Sequence, residues 1–425
     1  MRGAAAGRDA RITPAAKAAP VHDGIVINSA GIGAITLATR LAREPAFEGR
    51  VTVAAKPVQE SRQLIDGCTL RARSIDYYAE AGGARRETVL ERVFGPEWRQ
   101  AETDRQMTGI AHMEGGKARF RRVDPWMTNE RVKRDRTEGA PLAYGIRNSR
   151  LMAALNEQAA ECGVRFDRSG AASYDELRAL SNGANPLIVN GTPKPVTGAG
   201  WRQEPQKPKH FVAAVQMAFT SPHLEAKGLL KRQDSLIGFI PRDGALDMSV
   251  YYPFKDPMSP NATYYGIFYR LVRDADETAR EGHQRALREE LEAVGEAMGL
   301  APDSAEETAA AAWVPVSSWS YMASRQEGVL DLSRISGAGA PIITGDGMAR
   351  AGLGAIAAAE AIIAGEDPER AMNRALKLYR RLNLIQAGAI SWTPGMTALL
   401  LKHAPKLALA IPSKSRDWDM WAGAW

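Results

Sequence analysis

The first part of the chain has two apolar runs separated by a small-residue turn and a helical pattern. Residues 25–27 are apolar, residues 29–34 are mostly small, and apolar residues then recur at helical spacing over 35–41. A second apolar run follows at 51–53. Short apolar runs are typical of buried strands, and a 3.6-residue period is typical of helices. The pattern therefore predicts strand, tight turn, helix and strand within residues 24–56.

The same alternation of strands and helices returns later in the chain. The further elements predicted in this way are a strand and a helix in 142–162, a strand at 163–166, a short helix that starts at Ser173, buried strands at 186–191 and 341–346, and helices at 276–312, 352–364 and 368–410. We find no internal repeat.

A different pattern, typical of an antiparallel sheet, covers residues 211–272. Four apolar and aromatic stretches are separated there by turn residues, and a shorter strand is expected at 314–322. Residues 104–125 also alternate, with Gly115-Gly116 as a hairpin turn. Such a sheet is suited to form the wall of an apolar pocket, although plain sheet core accounts for most of its aromatic residues.

The turn at residues 29–34 carries most of a dinucleotide-binding fingerprint, which has the form G-x-G-x-x-G/A. Gly31 and Ala34 keep its second and third positions, but Ser29 replaces its first glycine. Residues 54–56 also lack the acid that is expected after the second strand. The sequence therefore indicates the fold more strongly than the ligand. A turn of small residues that binds no nucleotide is the alternative interpretation.

Composition narrows the class of protein. The chain has 425 residues, 45% of them hydrophobic and 24% charged, which is ordinary for a globular protein of about two domains. The net charge is +6, but Lys and Arg are spread along the chain, so no nucleic-acid partner is expected. No continuous apolar run reaches the ~18 residues of a membrane span, and no membrane association is expected.

Cysteine and histidine usage points to a reducing compartment without a metal site. Cys68 and Cys162 are far apart, and the six histidines show no metal-ligand spacing. We therefore expect a cytoplasmic protein. Residues 1–21 are rich in Ala, Arg and Pro and predict a disordered leader, with an organellar presequence as the minority alternative.

Four landmarks follow one another along the chain: the N-terminal strand–helix–strand unit, the strand and turn at 187–191, the antiparallel sheet, and the strand and turn at 342–346 followed by a helix. This order resembles the flavoprotein monooxygenase superfamily, which has the p-hydroxybenzoate hydroxylase-like fold. The resemblance implies an α/β protein. In it, a Rossmann-like FAD-binding domain is interleaved with an antiparallel β-sheet substrate domain and followed by C-terminal helices.

Within that superfamily the chain looks most like the two-component styrene and indole monooxygenases, over about residues 22–410. Residues 379–381 (YRR) and 390–393 (ISWT) are similar to the RRR and RWTN stretches of that family. The implied division is an FAD-binding domain of 22–75, 140–200 and 325–370, a substrate domain of 76–139 and 201–324, and a C-terminal helical segment of 371–425.

The resemblance also implies which residues contact the cofactor. The residues carried over are Ser29, Ala30, Gly31, Gly33, Ala34, Arg62, Arg147, Gly345, Asp346, Gly352 and Gly354. Each has a plainer interpretation beside it. Gly31 would be a turn glycine required by its backbone conformation, Asp346 a helix cap, and Arg62 and Arg147 surface residues. No general acid or base can be chosen from the sequence.

Three departures from the family pattern bear on cofactor affinity. They are Ser29 in the fingerprint, the absent acid near Ala55, and the loss of the Pro and of the G-Q-G-x-N run after Asp346. A lost hydrogen bond weakens binding by about 0.5–1.5 kcal/mol, so three would lower FAD affinity about tenfold or more. Weak binding suits an enzyme that takes reduced FAD from a separate flavin reductase. Alternatively, flavin binding has decayed.

The expected function is therefore an FAD-dependent monooxygenase that epoxidises or hydroxylates an apolar, aromatic small molecule held against the sheet of 211–272. The alternatives are an isomerase, cyclase or lyase on the same fold, with structural or absent flavin, and a non-catalytic binding protein. The apolar C-terminal helices and the tail with Trp418, Trp421 and Trp425 could form a homodimer interface.

Overall fold

The computed structural model describes residues 22–55, 67–95, 103–104, 107–114, 117–123, 143–192, 194–203, 210–220, 236–242, 245–253, 264–273, 279–297, 300–302, 310–316, 325–332 and 347–377. Several predictions lie outside these residues: the disordered leader 1–21, Arg62, the strand at 341–346 with Gly345 and Asp346, and the C-terminal segment beyond residue 377.

The described strands are β1 (Gly24–Ile27), β2 (Val51–Ala54), β3 (Gly67–Arg71), β4 (Thr103–Asp104), β5 (Met107–Glu114), β6 (Lys117–Val123), β7 (Ala143–Arg147), β8 (Arg165–Asp167), β9 (Pro186–Asn190), β10 (Trp201–Gln203), β11 (His210–Thr220), β12 (Leu236–Arg242), β13 (Ala245–Pro253), β14 (Tyr264–Arg273), β15 (Ala301–Pro302), β16 (Ala310–Val316), β17 (Arg325–Gln326) and β18 (Val329–Asp331).

The described α-helices are α1 (Ile32–Ala42), α2 (Ala72–Gly82), α3 (Arg86–Phe94), α4 (Asn148–Glu161), α5 (Tyr174–Ala179), α6 (Arg280–Ala297), α7 (Gly347–Ala364) and α8 (Pro368–Ala375), and a 3-10 helix covers Pro45–Phe47.

A five-stranded sheet, called here the nucleotide sheet, has the strand order β18-β9-β1-β2-β8 with every neighbouring pair parallel. The chain leaves β1 through α1 to reach β2 on one side, whereas β9 pairs with β1 on the other side. The strand order therefore changes direction at β1. In open parallel sheets, ligands bind at the carboxyl ends of the strands at such a switch point.

Both faces of the nucleotide sheet are buried, as expected for parallel strands that read as continuous apolar runs. Ile25, Ile27 and Val53 belong to a core cluster that includes most of α1. Val26 and Ile188 point to the opposite face and join a smaller cluster with Leu177 of α5. Ser173 begins α5 with a capping box, as the sequence predicts.

A second sheet is mostly antiparallel and has the order β15-β11-β14-β13-β12-β5-β6, with β16 also paired to β11. This confirms the sheet predicted from residues 211–272. The hairpin predicted at Gly115-Gly116 is also found, because Glu114 and Lys117 are paired across it. Strand β5 also pairs in parallel with β12. The hairpin predicted within 104–125 therefore forms one edge of this sheet.

The two faces of this second sheet have different neighbours. On β11, Val212 and Ala214 pack against the core cluster of the nucleotide sheet. Helix α6 covers the opposite face, where a Cβ on Gly295 would lie 2.7 Å from the Phe219 ring. The face of the second sheet that α6 leaves uncovered is therefore turned towards the nucleotide sheet.

A buried ion pair ties β13, β14 and α6 together. Arg270 makes a bidentate contact with Asp247, whose side chain is fully buried, and reaches Glu290 at 3.4 Å. Charges buried in this way require such pairing, because burying either one alone is costly. The cluster lies on the α6 side of the sheet, away from the nucleotide site.

Three predicted boundaries are shifted. The helix expected over 276–312 ends at Ala297, and Ala301–Pro302 and Ala310–Val316 are strands that pair with β11. The strand expected at 314–322 begins at Ala310, where three alanines give little strand signal. The helix expected at 352–364 begins at Gly347. Residues 347–354 contain no proline, so nothing prevents the helix from running through Gly352.

One helix among the described residues, Gly347–Ala364, is long and apolar enough to cross a membrane by length and composition. Within the protein 67% of it is buried, and it packs on α1, α2 and α8. That burial is typical of a core helix.

Candidate dinucleotide site

The turn between β1 and α1 is held by its own backbone and by Ser29. The Gly31 N–H donates to Ser29 Oγ at 3.1 Å, and the Ile35 N–H donates to the Gly31 carbonyl at 2.9 Å to begin the helix. Ser29 and Ala30 are buried, whereas Gly31 is partly exposed. The turn therefore presents Gly31 at the surface, at the carboxyl edge of the sheet.

Neither the backbone conformation nor the contacts with described residues require a glycine at residue 31. Its φ of −70° and ψ of 164° are open to any residue. Among the residues that the structure describes, a Cβ built there would meet only Ser29 Oγ, at the ordinary contact distance of 3.4 Å. This removes the interpretation of Gly31 as a glycine required by its φ angle. The space left open by the missing Cβ instead admits a ligand close to the backbone.

The N-terminus of α1 is chemically suited to an anion. Its cap residue Gly31 has no side chain, and no acid stands in the first turn. The first N–H groups of a helix lack intrahelical acceptors and carry the positive end of the macrodipole. Gly31 and Ile32 are partly exposed, and Gly33 and Ala34 carry no long side chain that would cover the backbone at this end, where a phosphate group would bind.

Ser29 fits into the turn because Gly191 faces it. A Cβ on Gly191 would lie 2.5 Å from Ser29 Cβ and 2.9 Å from its Oγ, with Ala34 Cβ at 3.3 Å. The space for a side chain at the first fingerprint position, where glycine is usual, is left here by Gly191, which follows β9. The departure at Ser29 is thus accommodated, and its hydroxyl lies within the turn.

The carboxyl ends of β1 and β9 are joined by a polar network that the sequence did not reveal. Gly191 N–H donates to Asn28 Oδ1 at 3.0 Å. Asn190 is 3% exposed; its Oδ1 accepts from the Thr192 N–H at 3.1 Å and its Nδ2 donates to the Lys194 carbonyl at 3.0 Å. The available signal was a polar residue at the end of a buried apolar run.

The start of α7 packs on α2. Tyr78 OH donates to the Met348 carbonyl at 3.3 Å, and a Cβ on Gly352 would lie 3.0 Å from Tyr77 Cβ. Close packing on Tyr77 therefore accounts for Gly352 without a ligand. Gly354 is buried within the same helix. The predicted cofactor contacts of both glycines stay predictions.

The structure says less about the other residues that the sequence predicts to contact the cofactor. Arg147 ends β7, where its backbone pairs with Gly67. Arg62, Gly345 and Asp346 lie outside the described residues. The structure thus brings together Ser29, Ala30, Gly31, Gly33 and Ala34, and it adds Gly191. Among the residues described, no group of three His, Cys, Asp or Glu could hold a metal ion.

Comparison with known proteins yields structural matches only. No family model and no curated protein matches the chain. The solved structure of FqzB matches with a TM-score of 0.56 at 13% identity and covers 95% of this chain and 94% of that one. CtdE in complex with FAD matches with a TM-score of 0.50 at 11% identity and covers 92% and 98%.

A variant of Klebsiella pneumoniae HpxO complexed with FAD matches with a TM-score of 0.51 at 12% identity, covering 95% of this chain and 94% of that one. The chain has the flavoprotein monooxygenase fold. The fold resemblance inferred from the sequence is confirmed over almost the whole chain. At 11–13% identity the likeness extends to the fold; activity is a separate question.

Proposed function

We propose that this chain is an FAD-dependent monooxygenase that transfers one oxygen atom from O2 to a small molecule. The observation that carries the proposal is Gly31, which neither its φ of −70° nor its surroundings require to be glycine. It lies at the switch point of a parallel sheet and at the uncapped end of a helix. Structural neighbours solved with FAD support the choice of ligand.

The residues of the turn fit a pyrophosphate. The N–H groups of the first turn of α1 would donate to phosphate oxygens. Ser29 Oγ accepts from the Gly31 N–H, and a hydroxyl that accepts one hydrogen bond can still donate its own proton to a phosphate oxygen. Ser29 would then contribute a contact in place of the one assumed lost with the first glycine. Bound flavin supplies the chemistry that activates O2.

The second sheet would position the substrate and exclude water. Its face towards the nucleotide sheet is mostly apolar at the described positions: Val212, Ala214 and Ile267 pack against the shared core, whereas the buried Gln216 beside Ile267 is polar. This supports an apolar substrate, and the aromatic composition of 211–272 supports an aromatic one. We propose epoxidation or hydroxylation as the reaction, in the cytoplasm.

We also propose that reduced FAD is supplied by a separate reductase. The support is the altered segment after Asp346, which lacks the Pro and the G-Q-G-x-N run of the family pattern. Fewer cofactor contacts favour exchange of the flavin over permanent retention.

Titration of the purified protein with oxidised FAD and, anaerobically, with reduced FAD tests the proposal. Flavin fluorescence and absorbance report binding, and we expect both forms to bind, the reduced form more tightly. Admitting O2 to the reduced complex with styrene or indole should then yield an oxygenated product. Failure of both flavin forms to bind would contradict the proposal, and anaerobic turnover of a substrate would favour the isomerase, cyclase or lyase alternative.

A further inference from the structure

The adenosine end of the proposed FAD site lacks its usual acceptor on β2. In the dinucleotide fold an acid after the second strand accepts hydrogen bonds from the ribose hydroxyls. Here Ala54 is the last residue of β2, and Ala55 and Lys56 follow it. Ala54 is 2% exposed, and its methyl side chain has no polar atom that could contact a ligand. The donors of an adenosine would therefore need another acceptor.

An acid stands at the end of the neighbouring strand. Asp167 is the last residue of β8, which pairs in parallel with β2, and the register places it directly beside Ala54. Adjacent strands are about 4.8 Å apart. Because parallel strands end at the same edge, Asp167 lies one strand spacing from the position of the missing acid. Asp331 also ends a strand at this edge, but β18 is three strands away from β2, about 14 Å.

The Asp167 side chain has one oxygen in use and one open to a ligand. Oδ1 accepts from the Ser169 N–H at 2.9 Å and from the Ser169 hydroxyl. Among the residues that the structure describes, none donates to Oδ2. The Ser169 hydroxyl and then its N–H lower the pKa of Asp167, so the carboxylate is charged at neutral pH. The side chain is partly exposed at the sheet edge.

We infer that Asp167 replaces the missing β2 acid and accepts hydrogen bonds from the adenosine half of FAD. This rests on the proposed function. A purely structural role for Asp167, in which it holds the turn at Ser169, explains the contacts of Oδ1. That role leaves Oδ2 without a function. The donors on adenosine are the ribose hydroxyls and the exocyclic amine, and either would pair with a charged acceptor.

Asp167→Asn is the appropriate variant because the amide keeps an oxygen for the Ser169 N–H and replaces the charged oxygen with an NH2 group. Asp23 offers a matched control. It is likewise an aspartate that holds a loop, through the N–H groups of Ala184 and Asn185 at 2.8 Å. The Asn185 N–H lowers its pKa as well. Asp23 precedes β1 and so lies at the amino edge of the sheet, away from the site.

The experiment compares the affinities of the wild-type protein, Asp167→Asn and Asp23→Asn for FAD, for FMN, which lacks adenosine, and for ADP, which lacks flavin. Asp167→Asn should weaken FAD and ADP about tenfold, as expected for one hydrogen bond to a charged group. FMN affinity should stay within about twofold. Asp23→Asn should change none of the three. Circular dichroism checks that both variants are folded.

Unchanged FAD and ADP affinity in Asp167→Asn would overturn the inference and leave Asp167 as a turn residue. An equal loss for FAD and FMN would overturn it too, since the effect would then not involve adenosine. Failure of the wild-type protein to bind either flavin would contradict the proposed function instead. In that case ADP alone still tests Asp167, because ADP carries the adenosine half without the flavin.

Discussion

Gly31 and Gly191 lie at the same edge of the nucleotide sheet, yet they are glycines for different reasons. At Gly191 a Cβ would lie 2.5 Å from Ser29 Cβ, so packing excludes any side chain. At Gly31 a Cβ would touch only Ser29 Oγ, at 3.4 Å, among the described residues, and φ is −70°. One glycine is needed to build the protein. The other is not required by its backbone angles or by the described residues around it, which supports our proposal that a ligand approaches the backbone there.

The largest expected effect is on stability, from Gly191→Ala. The new methyl group would overlap a Cβ fixed to the backbone of the β1–α1 turn, and overpacking of this kind costs about 1–3 kcal/mol. Urea unfolding should show that loss in the free energy of unfolding. The double variant Ser29→Gly/Gly191→Ala should recover most of it, because the 2.5 Å and 2.9 Å contacts both belong to Ser29. A double variant as unstable as the single one would show that Ser29 is not the residue that a side chain at position 191 contacts.

The second effect is on binding, from Gly31→Ala. Alanine accepts the observed φ and ψ and gains about 0.4–1 kcal/mol through the unfolded state. Alanine is also a poorer N-cap than glycine, so the net free energy of unfolding should change by less than about 1 kcal/mol. FAD affinity should fall about tenfold or more, because the methyl group would stand between the backbone and the pyrophosphate. Fluorescence titration beside an unfolding curve measures both. If affinity is retained, the pyrophosphate does not approach residue 31.

The smallest effect is expected from Gly352→Ala on α7. Alanine gains about 1 kcal/mol of helix propensity over glycine. The contact with Tyr77 Cβ at 3.0 Å is tight and opposes that gain. The net change in the free energy of unfolding should stay within about 1 kcal/mol, with FAD affinity unchanged. A clear loss of FAD affinity with intact stability would restore Gly352 as a cofactor contact.

The sequence revealed much of the fold because its signals are local. The strand–turn–helix–strand unit, the buried strand at 186–191 and the hairpin at Gly115-Gly116 each follow from residues that are close in the chain. The antiparallel sheet follows from four neighbouring alternating stretches. The start of α7 was predicted five residues late, because the glycines were interpreted as a loop and not as a helix face against Tyr77.

The site was only half predictable because its other half comes from distant residues. Ser29 was correctly identified as a departure, but its compensation by Gly191 is invisible in one sequence, since it depends on β9 pairing with β1. The same holds for Asp167, which is placed beside Ala54 only by the register of two parallel strands. Asn28 and Asn190 were missed because amides at strand ends are common in turns without ligands.

The contact between α1 and α7 has a consequence for how the protein is made. Arg40 Nε lies 2.7 Å from Glu360 Oε1, and the two residues are 320 positions apart. At about 5–20 residues per second, translation needs roughly 16 to 64 seconds to extend from one to the other. During that time the apolar side of α1 that α7 will cover is exposed on the nascent chain. Helix α1 therefore leaves the ribosome well before the helix that covers it, and its packing is among the last to be completed.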